Sequence, residues 1–307
     1  MTSGIRTTLG GLLLLALLSG CAGAPETHPN RVKARENLSS AQELMMQNHP
    51  AQALSSIRKA LRMHQLSDDL PGTIDDMNRL ARISFYLGRV DASRQWIDRA
   101  LVLEKVSDYP DKRVETYILS SEIAPPGQAG PWIAEAHRIA DAMPSGSDER
   151  DHLEARLFQV EGMRASGQKD YRGAIPLFRK ALELDRRRKD PLSVATDHAS
   201  LGRNAYLSGD DNEALRQFGK ALAKDEKIRN HAGIAFDLEG ISLAKARMGK
   251  YREAARTMME ASGVETGLGR TEMSRRDVAF VRILFKNIRT PDSEHFRNVL
   301  RHWFDAD

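Results

Sequence analysis

A pattern of small residues recurs along this chain in steps of 40 positions wherever neighbouring units are intact, and it strongly restricts the possible folds. In the segment from Ala174 to Ala181, an alanine is followed four residues later by Phe178 and three residues after that by a second alanine. Residues at this spacing lie on one face of an α-helix. The pattern recurs as Ala53-Ile57-Ala60, Ser93-Ile97-Ala100, Ala214-Phe218-Ala221 and Ala254-Met258-Ala261. Such a period predicts a stack of similar helical units.

A second set of small residues keeps the same phase. These residues precede each group by twelve positions and are Ala41, Ala81, Gly162, Gly202 and Ser242. Gly88, Gly209 and Gly249 each stand five residues before a group, and Asn48 holds this place in the first unit. Glycine readily adopts the left-handed conformation that ends a helix. We therefore predict two helices per unit joined by a short turn, with a longer turn where Gly167 stands seven residues ahead of its group.

One unit departs from the pattern. Forty residues after Ser93 lies Ile133, and either Ile133 or Ala136 could take the first small position. The preceding residues 125–131 hold three prolines and two glycines, which predicts a loop. Pro131 would suit the first turn of the following helix. We expect an irregular repeat near 105–147.

This two-helix pattern resembles the tetratricopeptide repeat (TPR) over about residues 34–262. The resemblance implies an all-α fold, a TPR-like α-solenoid of about six helix pairs. Small residues would let the helices of a pair approach closely, and the larger residue of each group would plug the next repeat. The TPR period is usually 34 residues, so the extra length predicts longer helices or longer connections.

In this family the concave face, lined mainly by the first helix of each pair, accepts a peptide or a helix of a partner. The resemblance places Asp75, Asn78, Arg82 and Phe85, and Thr196, Ala199, Arg203 and Tyr206, on that face. Because Arg and Tyr are enriched in binding hot spots, the candidate partner-binding residues are Asn78, Arg82, Phe85, Arg203 and Tyr206. An ordinary solvated or packing role stays open for each. The Lys, Asn and Arg set that binds a C-terminal carboxylate in some members is absent from adjacent repeats.

The first twenty residues have the composition of a secretory signal peptide. Arg6 precedes an apolar run over 9–18, which is half the roughly twenty residues that a membrane-spanning helix needs. The run ends in Leu18-Ser19-Gly20-Cys21, which resembles the lipobox of bacterial lipoproteins. The resemblance implies lipidation of Cys21, the single cysteine of the chain. Ala22 is not the aspartate that marks inner-membrane retention, so we expect an outer-membrane anchor and a body facing the periplasm.

The domain organisation follows from these segments. We predict a signal peptide over 1–20, a lipidated flexible tether over 21–33, a solenoid over 34–265 and C-terminal capping helices over 266–307. The last segment carries one apolar stripe made of Phe296, Val299, Leu300, Trp303 and Phe304. A solenoid needs a cap because its last repeat exposes a core face. Docking of this final helix on a membrane surface or a partner remains the alternative.

Charge and motifs argue against several classes of function. The chain has 46 basic and 42 acidic residues, and its densest basic run, residues 186–189, falls where a helix should end, so we expect no nucleic-acid partner. Metal-ligand spacings, a phosphate-binding glycine loop and a nucleophile elbow are absent from the sequence. Asp and Glu occur throughout, and on helical surfaces such residues are usually solvated. We predict a non-enzymatic protein without cofactor or metal.

The leading hypothesis is a protein–protein interaction scaffold or assembly factor for an envelope complex, such as a pilus, a secretion machine or cell-wall machinery. Its partners would be other envelope proteins or peptides. It would contact the membrane through the N-terminal lipid. The alternative is a regulator of peptidoglycan metabolism, or an enzyme acting in it.

Overall fold

A computed structural model describes residues 28–46, 49–125, 127–289, 298–300 and 303. In this part of the chain the regular structure consists of α-helices, and strands are absent. The helices up to the middle of the chain are α1 (Pro29–Met46), α2 (Pro50–Gln65), α3 (Leu70–Tyr86), α4 (Val90–Glu104), α5 (Pro110–Ile123), α6 (Gly130–Ala142) and α7 (Asp148–Gly167). The remaining helices are α8 (Tyr171–Arg188), α9 (Pro191–Leu207), α10 (Asp211–Ile228), α11 (His231–Arg247), α12 (Tyr251–Gly267) and α13 (Thr271–Arg289).

Each odd-numbered helix from α1 to α11 packs against the even-numbered helix that follows it, and α13 packs on α12. Successive pairs also contact one another, so that the six pairs stack in chain order. This arrangement confirms the all-α solenoid of about six helix pairs. The helices α9 and α10 contain 17 and 18 residues. The extra residues of the 40-residue period therefore lengthen the helices.

The residues that define the repeat pack inside the stack. Every member of the five small-residue groups is buried. The ring of Phe218 lies between Gly202 of α9 and Gly240 of α11, and a Cβ atom at Gly202 would come within 2.9 Å of the ring. Phe218 thus contacts the first helix of its own pair and the first helix of the next, which confirms its predicted role as a plug between repeats.

The turns within pairs are nearly uniform. Gly88, Gly209 and Gly249 have φ values of 70°, 95° and 79°, as the helix-ending pattern predicts. The expectation of a longer turn after Gly167 is wrong. Lys169 holds the left-handed position with φ 64°, five residues before its group, and the next helix begins at Tyr171. A non-glycine residue therefore takes the position that glycine holds elsewhere.

The irregular unit comprises α5 and α6, the two shortest described helices, with 14 and 13 residues. Ala136 is fully buried whereas Ile133 is partly exposed, so Ala136 holds the small position. Pro131 lies in the first turn of α6, as predicted. The shift of register from 133 to 136 breaks the 40-residue phase here.

The N-terminal boundary differs from the expectation. Helix α1 begins at Pro29, inside the segment 21–33 that the sequence assigned to a flexible tether. Proline suits the first turn of a helix because its missing N–H would have no partner there. Asn48 and Cys21 lie outside the described residues.

The C-terminal residues cap the stack. Phe280 of α13 is buried and its ring lies 4.9 Å from that of Trp303. The Trp303 indole N–H donates to Glu239 Oε2 of α11 at 3.0 Å, and the Tyr206 hydroxyl of α9 donates to the Leu300 carbonyl at 2.6 Å. These contacts cover the apolar end of the last repeats, as expected of a cap. Phe296 and Phe304 of the predicted apolar stripe lie outside the described residues.

Candidate functional site

Two grooves lie along the layer of odd-numbered helices. The N-terminal groove has a volume of about 640 Å³ and is lined mainly by residues of α1, α3, α5 and α7, with Ile57 contributed by α2. The C-terminal groove has a volume of about 520 Å³ and is lined mainly by residues of α7, α9 and α11, with Phe178 and Asp225 contributed by α8 and α10. The first helices of the pairs thus supply most of both surfaces, as the repeat resemblance implies.

The solenoid curves within its described length. Tyr86, at the end of α3, and residues 269–273, at the turn before α13, line one shared cavity of about 420 Å³. The second repeat therefore lies near the last turn of the stack.

The N-terminal groove is rich in cations. Its lining includes Arg35, Arg79, Arg82, Lys112 and Arg156, against the carboxylates of Asp75 and Glu115. Three of these cations are neutralised locally, in pairs that join Lys112 to Asp75 at 3.0 Å, Arg156 to Glu115 at 3.0 Å and Arg79 to Asp76 at 2.8 Å.

Arg82 and Arg35 carry the remaining positive charge. Neither guanidinium forms an ion pair or hydrogen bond within the described part of the chain. The Arg82 side chain is exposed to solvent, although the walls of the groove surround it. Partial desolvation by these walls, together with the charge of Arg156, lowers the pKa of Arg82. Arginine stays protonated in proteins because its normal pKa exceeds about 12. Within the described residues, the groove therefore presents two permanently charged guanidinium groups that form no ion pair.

Glu115 is held ionised beside Arg82. Burial raises the pKa of the Glu115 carboxyl, but the hydrogen bond with His152 and the charges of Arg156 and Arg82 outweigh it, so the pKa lies well below its usual range. Its negative charge is engaged mainly by Arg156. Arg156 is therefore the ion-pair partner of Glu115, and Arg82 acts on the same carboxylate from a greater distance.

The other two candidates on α3 have different environments. Asn78 is buried, and its Nδ2 donates to Thr116 Oγ1 of α5 at 2.8 Å. This bond joins the first helices of neighbouring repeats at the floor of the groove. Phe85 is 41% exposed, one turn beyond Arg82 on the same helix. An aromatic ring is thus accessible next to the unpaired charge.

The two candidate residues of the C-terminal groove, Arg203 and Tyr206, also have different environments. Arg203 is half-buried and lines the groove together with Met163, Leu207 and Phe236. Tyr206 is fully enclosed, and the Arg247 guanidinium lies 3.9 Å from the centre of its ring. Burial raises the pKa of the Tyr206 hydroxyl above its normal value. Its contacts are those of a packing residue between α9, α11 and the cap.

Sequence reasoning missed Arg35, Lys112 and Arg156 as groove residues. The break of phase in the irregular unit hid the groove positions of α5 and α7. Arg35 lies in the segment next to the expected tether. The periodicity of α7 gave no clear signal for Arg156, because the adjacent residues Ala155 and Leu157 are both buried.

Comparisons with known proteins bear on the fold. Neither a protein-family model nor a curated protein matches this chain. A STAND-type signal transduction ATPase with a tetratricopeptide repeat sensor from Pyrococcus horikoshii is similar in structure, with a TM-score of 0.58 at 13% identity over 88% of this chain. The fold is a TPR-type α-solenoid. The chain spans only 40% of that ATPase.

Two further solved structures are similar over most of their length. A Rap protein complexed with Competence and Sporulation Factor gives a TM-score of 0.59 at 10% identity, covering 86% of this chain and 78% of the Rap protein. Aspartyl phosphate phosphatase F from Bacillus subtilis gives 0.53 at 14% identity, covering 94% and 78%. Identities this low establish the shared solenoid architecture alone.

Within the described residues, no group of three or more His, Cys, Asp or Glu side chains is placed to hold a metal ion. Among the described helices, none combines the length and apolar character needed to cross a membrane.

Proposed function

We propose that this protein is an interaction scaffold that is anchored to the outer membrane through a lipid on Cys21 and that binds an acidic segment of an envelope protein in its N-terminal groove. The observation that carries the proposal is the groove's excess of cations, five against two carboxylates, with Arg82 and Arg35 unneutralised within the described residues. Complementary charge steers association and fixes register.

The groove also has the shape that an extended segment requires. It runs across four first helices. Phe85 does not line the groove, but it is exposed one turn after Arg82 on α3. The solenoid similarity supports the proposal, since the Rap protein above was solved as a complex. The partner would belong to an assembly such as a pilus, a secretion machine or cell-wall machinery.

Photo-crosslinking in the cell tests which surface is used. A crosslinking residue in place of Gln42, which lines the N-terminal groove, should capture a partner that mass spectrometry can identify. The same residue in place of Gln52, exposed on α2 in the opposite layer, is the control. Equal capture from both positions would exclude the groove as the specific site.

Charge reversal then tests the role of the unpaired arginine. Arg82→Glu should weaken recovery of the captured partner about tenfold, a loss of ~1.4 kcal/mol in binding, while helical content and melting stay near those of the wild type. Arg58→Glu on α2 is the matched control, since Arg58 is exposed in the opposite layer. Arg203→Glu reports on the C-terminal groove. Full binding by the Arg82→Glu variant at physiological salt contradicts the proposal, and a loss confined to Arg203→Glu would place the site in the C-terminal groove instead.

A further inference from the structure

Buried acidic residues recur at the junctions between repeats with the same 40-residue period as the small residues. Asp185, Asp225 and Glu265 occupy one register position near the ends of α8, α10 and α12. Twelve residues after each of these lies Asp197, Asp237 or Asp277 in the next first helix. All six side chains are at most 2% exposed. The expectation that the acidic residues are solvated is therefore wrong at these positions.

Earlier junctions fill the same two positions with a matched polar pair. His64 Nδ1 lies 2.7 Å from Asp76 Oδ2 at the first junction, and Thr116 donates to Glu104 at the second. A base and an acid, or a hydroxyl and an acid, can share a hydrogen bond with the acid ionised. Two carboxylates cannot, because neither has a proton to donate and their charges repel in a site of low dielectric.

The carboxyl groups of Asp185 and Asp197 both accept hydrogen bonds from one side-chain amide. The Gln159 amide donates to Asp197 Oδ1 at 2.9 Å and to Asp185 Oδ2 at 3.2 Å, which holds both carboxyls together. The charged groups that face this pair are Arg188, whose Nη1 lies 3.0 Å from Asp185 Oδ1, and Asp190. Arg188 stabilises the ionised form of Asp185, so the shared proton belongs on Asp197. Burial, outweighing the Gln159 hydrogen bond, raises the pKa of Asp197 to about 8.

Among the described residues, no cation pairs with Asp225 or Asp237. Asn230 Nδ2 donates to Asp225 Oδ1 at 3.0 Å, and Asp225 is the titratable group facing Asp237. Within the described residues, no N–H or O–H group donates to either carboxylate oxygen of Asp237. Burial, with the Asp225 charge as a smaller cause, raises the pKa of Asp237 to about 9. A protonated Asp237 that donates to Asp225 satisfies both groups.

We propose that the Asp185–Asp197 and Asp225–Asp237 pairs each hold one shared proton. Each proton stabilises one of two successive junctions between repeats, and these junctions loosen as the pH rises. The last pair differs, because Arg270 lies 3.6 Å from Glu265 and Arg276 lies 3.9 Å from Asp277. Asp225 also lines the C-terminal groove, so the pH would act on the shape of that groove.

The direction of the pH dependence follows from proton uptake. An unfolded aspartate has a pKa of about 3.9, so between about pH 4 and the higher folded pKa the folded chain binds more protons than the unfolded chain. The free energy of unfolding then falls as the pH rises through this window. At neutral pH, unfolding should release about two protons from the two pairs.

The test measures melting temperature against pH for the purified full-length chain in mild detergent. Between about pH 7 and 9.5, the wild-type melting temperature should fall, and the Asp197→Asn/Asp237→Asn double variant should fall less and release about two fewer protons on unfolding. Burial raises the pKa of Glu104 to about 7, so most of the stability change that Glu104 contributes falls below this pH range. Asp98→Asn, at an exposed position of α4, is the matched control and should follow the wild type.

Infrared spectroscopy provides a readout that does not depend on the variants folding. The folded wild type at neutral pH should show a carboxylic-acid C=O band that disappears at high pH, and folded Asn variants should lack most of it. A wild-type protein without this band at neutral pH overturns the proposal. So does a double variant that folds and keeps the wild-type pH profile. Neither readout involves a binding partner, so the result is independent of the proposed scaffold function.

Discussion

The ring of Phe218 lies between two backbones that carry glycine at the points of contact. A Cβ atom added at Gly240 would overlap the far edge of the ring, and one at Gly202 would press on its near edge. The helices therefore approach closely where one aromatic residue contacts two small residues. The aromatic residue lies on the second helix of a pair, and the small residues lie on the first helix of the same pair and on the first helix of the next pair. This is the residue-scale reason for the small positions in the repeat.

A pair of glycine substitutions tests this packing. Gly240→Ala should lower the free energy of unfolding by about 1–3 kcal/mol, because the added methyl group overpacks the Phe218 contact. Gly219→Ala, one residue from Phe218 on the exposed side of α10, has open space around its Cβ. It should raise stability by up to about 1 kcal/mol, because alanine favours helix more than glycine does. Chemical denaturation decides, and equal effects of the two changes would refute the assigned contact.

At the scale of elements, the turn after α7 shows what residue type alone cannot determine. Lys169 adopts the left-handed conformation although it has a Cβ atom, because the flanking helices fix the direction of the chain. Tertiary packing thus outweighs the local preference for glycine, which costs about 1–2 kcal/mol to override. The spacing of the helices, rather than the glycine itself, sets the length of the turn.

Loss of the C-terminal cap should lower the free energy of unfolding of the solenoid. Trp303→Ala should lower the free energy of unfolding by about 3–5 kcal/mol, because it removes a buried ring from Phe280 and a donor from Glu239. Phe285→Ala on α13 is the control, since Phe285 is 55% exposed and should contribute much less. Thermal melts compare the two. A Trp303 variant as stable as the Phe285 variant would contradict the capping role.

At the scale of the whole molecule, the anchor is a prediction from the sequence alone, since Cys21 lies outside the described residues. Three acyl chains would hold the protein on the membrane, because each buried methylene contributes about 0.8 kcal/mol. Metabolic labelling with an alkyne fatty acid should mark the wild type in the outer-membrane fraction. Cys21→Ser should be unlabelled and either soluble or unprocessed. Equal labelling of both proteins would end the lipoprotein interpretation.

The helix pairs and their phase follow from the amino-acid sequence alone. The small-residue groups and the turn glycines Gly88, Gly209 and Gly249 predicted local structure correctly, because steric fit and helical periodicity depend on neighbours a few residues away. The same reasoning failed at Pro29 and Lys169, where a helix start and a left-handed turn depended on the chain around them.

Which charged residues lie close together depends on the tertiary structure. Arg82 and Arg156 line one groove although 74 positions separate them. Asp225 and Asp237 are both acidic, and their 40-residue recurrence is visible in the sequence, but their burial is not. Electrostatic interactions depend on distance and on the exclusion of water, and both are set by how the repeats stack.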